Sequence, residues 1–192
     1  MKQEIAQVKK TYPEALYVGI ADGAKDNWSF LKQHTEKQTL DFYHATGYLK
    51  AVASAAFPRS KVKRQDWLDS KCQELKHVEG AAYEILDEIK TFKNNKLSKV
   101  VKQSLDSSIT YFENHKYEMN YTESIEKNLP IGSGVTEAAC KTVVKQRLCQ
   151  SGMKWIEKGA GIILSLRTLV LTKGRWEQFW DKINQYGLPI LA

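Results

Sequence analysis

Cysteine is scarce in this chain: Cys72, Cys140 and Cys149 make an odd count at irregular spacing. With no C-x-x-C pair among them, neither a disulfide framework nor a zinc site is indicated. Cys140 and Cys149 fall on or near apolar helical positions, where a thiol behaves as a small hydrophobe. Long apolar runs are missing too. The longest, Ala160 to Leu171, is too short to cross a bilayer and contains Arg167. The opening Met-Lys-Gln-Glu is polar and has no apolar leader region. Internal repeats and low-complexity segments are absent as well. Together these point away from secreted, membrane and solenoid classes and towards a cytoplasmic protein with no membrane partner.

What is present suits a globular fold. The chain has 192 residues, enough for one domain with a core, and its 42% hydrophobic and 27% charged content is ordinary. The charge is less neutral. A formal +7 and a pI near 9.2 suggest an acidic partner, for which nucleic acid is the usual candidate.

The first third alternates helix and strand. Lys2 to Lys10 reads as a short helix ended by Pro13, and Leu16 to Ala21 as a compact strand stopping at Asp22-Gly23. A helix from about Asp26, a candidate cap, to His34 comes next. Thr39 to Tyr43 is a second short β-prone run, and His44 opens a helix closed by Pro58. This alternation implies parallel pairing. From Lys61 to about Asn120 the pattern is helical, with Ala82, Ile85, Leu86, Ile89 and Phe92 in one set and Val101, Leu105, Ile109 and Phe112 in the next. Asn94-Asn95 marks the turn between them. Tyr111 to Tyr121 is read as a helix end and a surface loop. Trp155 to Thr172, apolar almost all round, implies a deeply packed helix, and an amphipathic helix with Trp176, Phe179, Trp180 and Ile183 ends the chain.

Pro130 to Gln150 has the strongest local organisation. Pro130, Gly132 and Gly134 make a turn, Ser133 or Thr136 can cap the helix after it, and no breaker intervenes before Gly152. Regular helix would set Glu137, Lys141, Val144 and Leu148 in one column. A carboxylate at Glu137 is either a charge tolerated on the helix dipole or an acid aimed into a site.

Asp22 ends the first strand, where open α/β sheets place ligands, although Asp-Gly is equally a turn signal. Asp41 lies near the end of the second strand, with His44 placed either to donate to it or to cap the next helix. Two carboxylates at strand ends and a third on a late helix are what a pair of magnesium or manganese ions needs. Two such ions, about 3.5–4 Å apart, clamp the attacking and leaving oxygens in phosphoryl transfer. Lys141, Lys145, Arg147 and Lys154, with Trp155 next, form a basic face suited to a phosphate backbone or simply to solvent. Arg59, Lys61, Lys63 and Arg64 fit a solvated loop. Trp155, Trp176 and Trp180 fit a core better than base-stacking platforms.

The strings Ile20-Ala-Asp-Gly-Ala24, Asp41-Phe-Tyr-His-Ala45 and the whole of Leu129 to Leu148 resemble bacterial insertion-sequence transposases of the ISKra type. Ser151 to Trp155 and Gly174 to Trp180 continue the likeness, which runs from about Tyr12 onward. The resemblance implies an α+β, mostly helical fold: the C-terminal portion of a ribonuclease-H-like core, with two short strands retained and a helical insertion. A single domain is expected, with a strand-helix part at 12–60, the insertion at 61–128, and the glutamate helix and C-terminal helices at 129–192.

By the same resemblance the activity is DDE-type transposition, metal-dependent phosphoryl transfer at transposon ends. Asp22 would be the second aspartate and Glu137 the glutamate, together holding Mg2+ or Mn2+ in a two-ion site. Asp41 and His44 would be the Asp-x-x-His signature that follows the second aspartate in related Mutator-like families, and either Asp22 or Asp41 can be the second ligand. Lys141, Lys145, Arg147, Lys154 and Trp155 would contact DNA. The first aspartate of the triad lies outside the matched strings, so the chain looks like the C-terminal part of a truncated or split transposase. It would then be weak or inactive alone and associate with itself or with an upstream fragment.

Overall fold

The computed structural model describes residues 2–94 and 97–187, so Asn95 of the expected Asn94-Asn95 turn lies outside the described residues. The chain divides into two compact units, 1–133 and 134–192. The division falls inside the turn that opens the glutamate helix.

In the first unit the elements run α1 (Lys2–Thr11), β1 (Val18–Ala21), α2 (Lys25–His34), β2 (Lys37–Leu40), α3 (Phe42–Ala56), α4 (Lys61–His77), α5 (Ala81–Thr91), α6 (Lys99–His115) and α7 (Tyr121–Glu126). The strands pair in parallel, with Val18 opposite Lys37 and Ala21 opposite Leu40. The fold is therefore α+β and mostly helical, with two short parallel strands. β2 starts and stops earlier than the β-prone residues suggest. Asp41 takes the position after Leu40 and caps α3, accepting from the amides of Tyr43 and His44. His44 accordingly neither opens nor caps that helix; it lies in its first turn. Asp26 likewise lies in the first turn of α2, behind an Ala24 cap without a side-chain bond.

The core lies where α3 meets α4 and α6. Leu49 and Val52 of α3, Leu75 of α4, Ile85 and Ile89 of α5, and Leu105 and Phe112 of α6 are all sealed from solvent. Each such aliphatic or aromatic side chain contributes about 1.5–3 kcal/mol on burial. The two apolar periodicities read from the sequence are the faces of α5 and α6 that fill this space. The helix end expected at Tyr111 to Tyr121 is there, with α6 stopping at His115, but the expected surface loop is corrected in part. Tyr111, Phe112, Met119 and Tyr121 are all buried, and Tyr121 packs edge-on to Phe42. Most of the aromatic content of this segment is therefore core, and Tyr117 stays at the surface.

The second unit comprises α8 (Gly134–Ala139), a π-helical turn (Cys140–Lys145), α9 (Gln146–Leu148), α10 (Glu157–Leu171) and α11 (Arg175–Tyr186). The π turn spoils the regular column expected for Glu137, Lys141, Val144 and Leu148, because each residue there advances by less than the 100° of an α-helix. A wide turn leaves carbonyls poorly satisfied. Arg167 of α10 supplies the missing donors: Nε donates to Val143 O at 2.9 Å and Nη2 to Thr142 O. α10 is not deeply packed as its composition implied, since none of its residues is buried. Ile162, Leu166, Val170 and Leu171 are exposed. Trp176, Phe179 and Trp180 form their own ring cluster on α11, with both tryptophans exposed. Cys140 and Cys149 are exposed thiols rather than packed hydrophobes. No helix among the described residues is long and apolar enough to cross a membrane.

Candidate active site and nucleic-acid interface

Parallel pairing brings the carboxyl ends of β1 and β2 side by side, and an aspartate follows each strand directly. Asp22 comes after Ala21 and Asp41 after Leu40, with Ala21 and Leu40 opposite one another. The Asp41 amide donates to Ala21 O at 2.8 Å, so the second aspartate is stitched to the end of the first strand. The sequence expectation that both acids stand at strand ends holds in this geometry.

Their environments differ sharply. Asp22 is exposed. Its Oδ1 accepts from Ala24 N at 3.1 Å and Asn27 Nδ2 at 3.2 Å, an Asx-type turn that aims the carboxylate without enclosing it. The Ala24 amide bond lowers its pKa, partial burial opposes that, and Asn27 and the nearby His44 lower it further. Asp22 is therefore ionised at neutral pH. Its own carbonyl accepts from Tyr111 OH at 3.0 Å. Gly23 next to it has φ +100°, and a β-carbon there would stand 2.9 Å from His115 Nε2. Only glycine meets both demands.

Asp41 is 1% exposed. Oδ1 accepts from Tyr43 N at 2.7 Å and His44 N at 3.2 Å. Oδ2 accepts from the Ser133 amide at 2.6 Å and from the Ser133 hydroxyl. Burial pushes its pKa up, but the Ser133 and capping bonds outweigh that and hold it below the usual value. A carboxylate offers about four acceptor positions, and all four are in use. Between the two strand-end acids, Asp22 is the one with oxygen left for an outside ligand. His44 is exposed on α3; it helps to lower the pKa of Asp22, and its backbone amide donates to Asp41.

Behind Asp22 lies an aromatic wall. Tyr48 and Tyr111 stack at 3.8 Å with 17° between planes, and His115 packs against Tyr111. Burial, with Tyr48 and then both aspartates adding to it, pushes the Tyr111 phenol well above its usual pKa, so it stays a hydrogen-bond donor. The sequence reading missed Tyr111, Asn27 and His115. Asn27 had a local signal, five residues after an Asp-Gly; Tyr111 is 89 residues from its partner and had none.

In the second unit, Glu137 is exposed in the first turn of α8. It lines a cavity of about 880 Å³ together with Lys141, Lys145 and Cys140. Two of the expected basic residues thus share a concavity with the expected glutamate. Lys154 is exposed, and Arg147 lies over the ring of Trp155, with its guanidinium carbon 5.4 Å from the centroid. Trp155 is 37% exposed, so it is not core. Arg167, one more cation in this unit, is occupied by the π turn.

Among the described residues, no three or more His, Cys, Asp or Glu side chains gather closely enough to hold a metal ion. Magnesium is commonly held by one or two protein carboxylates plus waters and substrate phosphates, and the hard oxygens of Asp22 and Glu137 are of that chemistry. No family model, no curated protein and no solved structure matches the chain.

Proposed function

We propose that the chain is part of a DDE-type DNA transposase of the ISKra type, with a ribonuclease-H-like core, acting on transposon ends by metal-dependent phosphoryl transfer. The observation that carries this reading is the pair of aspartates at adjacent carboxyl ends of two parallel strands, one exposed, ionised and oriented, the other locked into the framework. Asp22 and Glu137 would hold Mg2+ or Mn2+. Bound there, the ions would supply charge neutralisation at the phosphate and a lowered pKa for the attacking water or 3′-hydroxyl. The chain's own residues do the rest. Ala24 N–H and Asn27 orient Asp22, Tyr111 fixes the backbone that bears it, and Lys141, Lys145, Arg147, Lys154 and Trp155 hold the DNA backbone.

The test uses the full chain. Mn2+ binding followed by titration is expected to be lost in Asp22→Asn and in Glu137→Gln, and binding that survives both refutes the assignment. Strand joining of labelled transposon ends in Mg2+ is expected to be weak with this chain alone, because it supplies two of the triad's three carboxylates. Efficient joining would contradict that.

A second reading, a non-enzymatic DNA-binding or dimerising remnant that modulates an intact transposase, draws on the half-buried Arg147 lying over the exposed Trp155 and on its basic neighbours. It requires DNA affinity that falls when Lys145 or Arg147 is neutralised, with no metal-dependent activity to lose.

A further inference from the structure

Asp41 spends its carboxylate on a segment 92 residues away, and that segment is the last stretch of the first unit. Three interactions converge there. Oδ2 takes both donors of Ser133. One residue on, the Phe42 amide donates to Ile131 O at 2.9 Å. Between them Gly132 lies flat against Tyr43, so close that a β-carbon would come 2.8 Å from Cδ2 and Cε2 of the ring. Ile131, Gly132 and Ser133 are thus held by successive residues of the α3 N-terminus. Gly134, where α8 and the second unit begin, comes immediately after.

We propose that Asp41 is a latch that fixes the course of Ile131 to Ser133, the strap by which the chain leaves the first unit. Oδ1 secures α3 and Oδ2 secures the exit strap, while the Asp41 amide donates to Ala21 O, so one buried residue ties β1, α3 and the strap together. This role for Asp41 is distinct from metal ligation.

Asp41→Asn is the informative change. Asparagine is as good a helix cap as aspartate, so the α3 bonds are kept, but its amide then faces the Ser133 N–H donor to donor. Ser133→Ala removes only the hydroxyl bond, and Gly132→Ala pushes the strap off the Tyr43 ring. The readout is amide hydrogen exchange in the full chain, with Mn2+ titration alongside. Exchange at Ser133 is expected to accelerate by about tenfold or more in Asp41→Asn and less in Ser133→Ala, with α5 and α6 unchanged. Asp22→Asn should leave Ser133 protected while abolishing Mn2+ binding. If Asp41→Asn leaves exchange at Ser133 as in the parent, the latch is refuted. Should Asp41→Asn remove Mn2+ binding with Ser133 still protected, Asp41 is a ligand and the proposal falls.

Discussion

The phenol of Tyr111 donates to the main-chain carbonyl of Asp22 at 3.0 Å. This one bond ties the middle of the helical core to the exposed acid at the end of β1. Tyr111 is 9% exposed and stacked on Tyr48, so its hydroxyl has little freedom to bond elsewhere. Tyr111→Phe keeps the stack and removes the donor. It should cost about 1 kcal/mol of stability, read as a lower urea midpoint with unchanged slope. Mn2+ affinity should fall with it, because the Asp22-Gly23 turn is no longer pinned; unchanged affinity would mean the bond serves the core alone.

The carboxylates predict how stability responds to acid. Asp22 and Asp41 both have folded pKa values below their ordinary ones, Asp22 through the Ala24 amide and Asp41 through Ser133 and the cap against opposing burial. Glu123 is held at about 2 by Lys127 and Lys37. A depressed carboxylate contributes stability above its unfolded pKa, about 4, and loses it as pH falls through the folded value. His115 adds an earlier step. Burial lowers its pKa, so the unfolded chain takes up its proton first, and stability declines once pH drops below about 6.5. Urea midpoints should therefore fall in two stages between pH 7 and pH 3. His115→Phe should remove the first stage and Asp41→Asn should shrink the second.

Much of the first unit was legible because its signals are local. Alternation gave two parallel strands, and the spacing of Ile85, Leu86 and Ile89 or of Leu105, Ile109 and Phe112 gave the faces that are buried. Asp22 stands where a strand end and an Asp-Gly turn coincide, and both cues point to one place. What failed was contextual. Helix propensity cannot register the π turn at Cys140–Lys145, since its carbonyls are satisfied by Arg167 from another helix. Composition made Trp155 to Thr172 look like core, yet hydrophobicity does not say what covers a face. Asp41 looked like Asp22 in sequence. They are separated by Ser133, a residue that reads locally as a cap for the helix after it but gives its hydroxyl to the strand end instead.

Arg167 offers a test of that non-local support. Arg167→Lys keeps a charge but cannot supply two donors in a fixed fork, and Arg167→Met supplies none. Since the site is only partly shielded, Arg167→Met should cost about 1–2 kcal/mol. The loss should appear as faster amide exchange across 140–148 with the first unit unaffected. If exchange there is unchanged, the π turn is stable without its partner.

The basic face makes a prediction that separates charge from stacking. On the proposed DNA contact, cations facing the phosphate backbone contribute through counterion release, so each one removed should flatten the dependence of log affinity on log salt by about 0.9 for duplex DNA. Lys145→Gln and Arg147→Gln should each do so in anisotropy titrations with labelled duplex. Arg147→Lys should keep the salt slope, because the charge remains, yet bind more weakly, because an ammonium does not lie over Trp155 as a planar guanidinium does. Trp155→Ala should then match Arg147→Lys in affinity and in slope. A substitution at Trp155 that weakens binding while Arg147→Lys does not would make the ring itself the DNA contact, a base-stacking role in place of the core role its composition suggested.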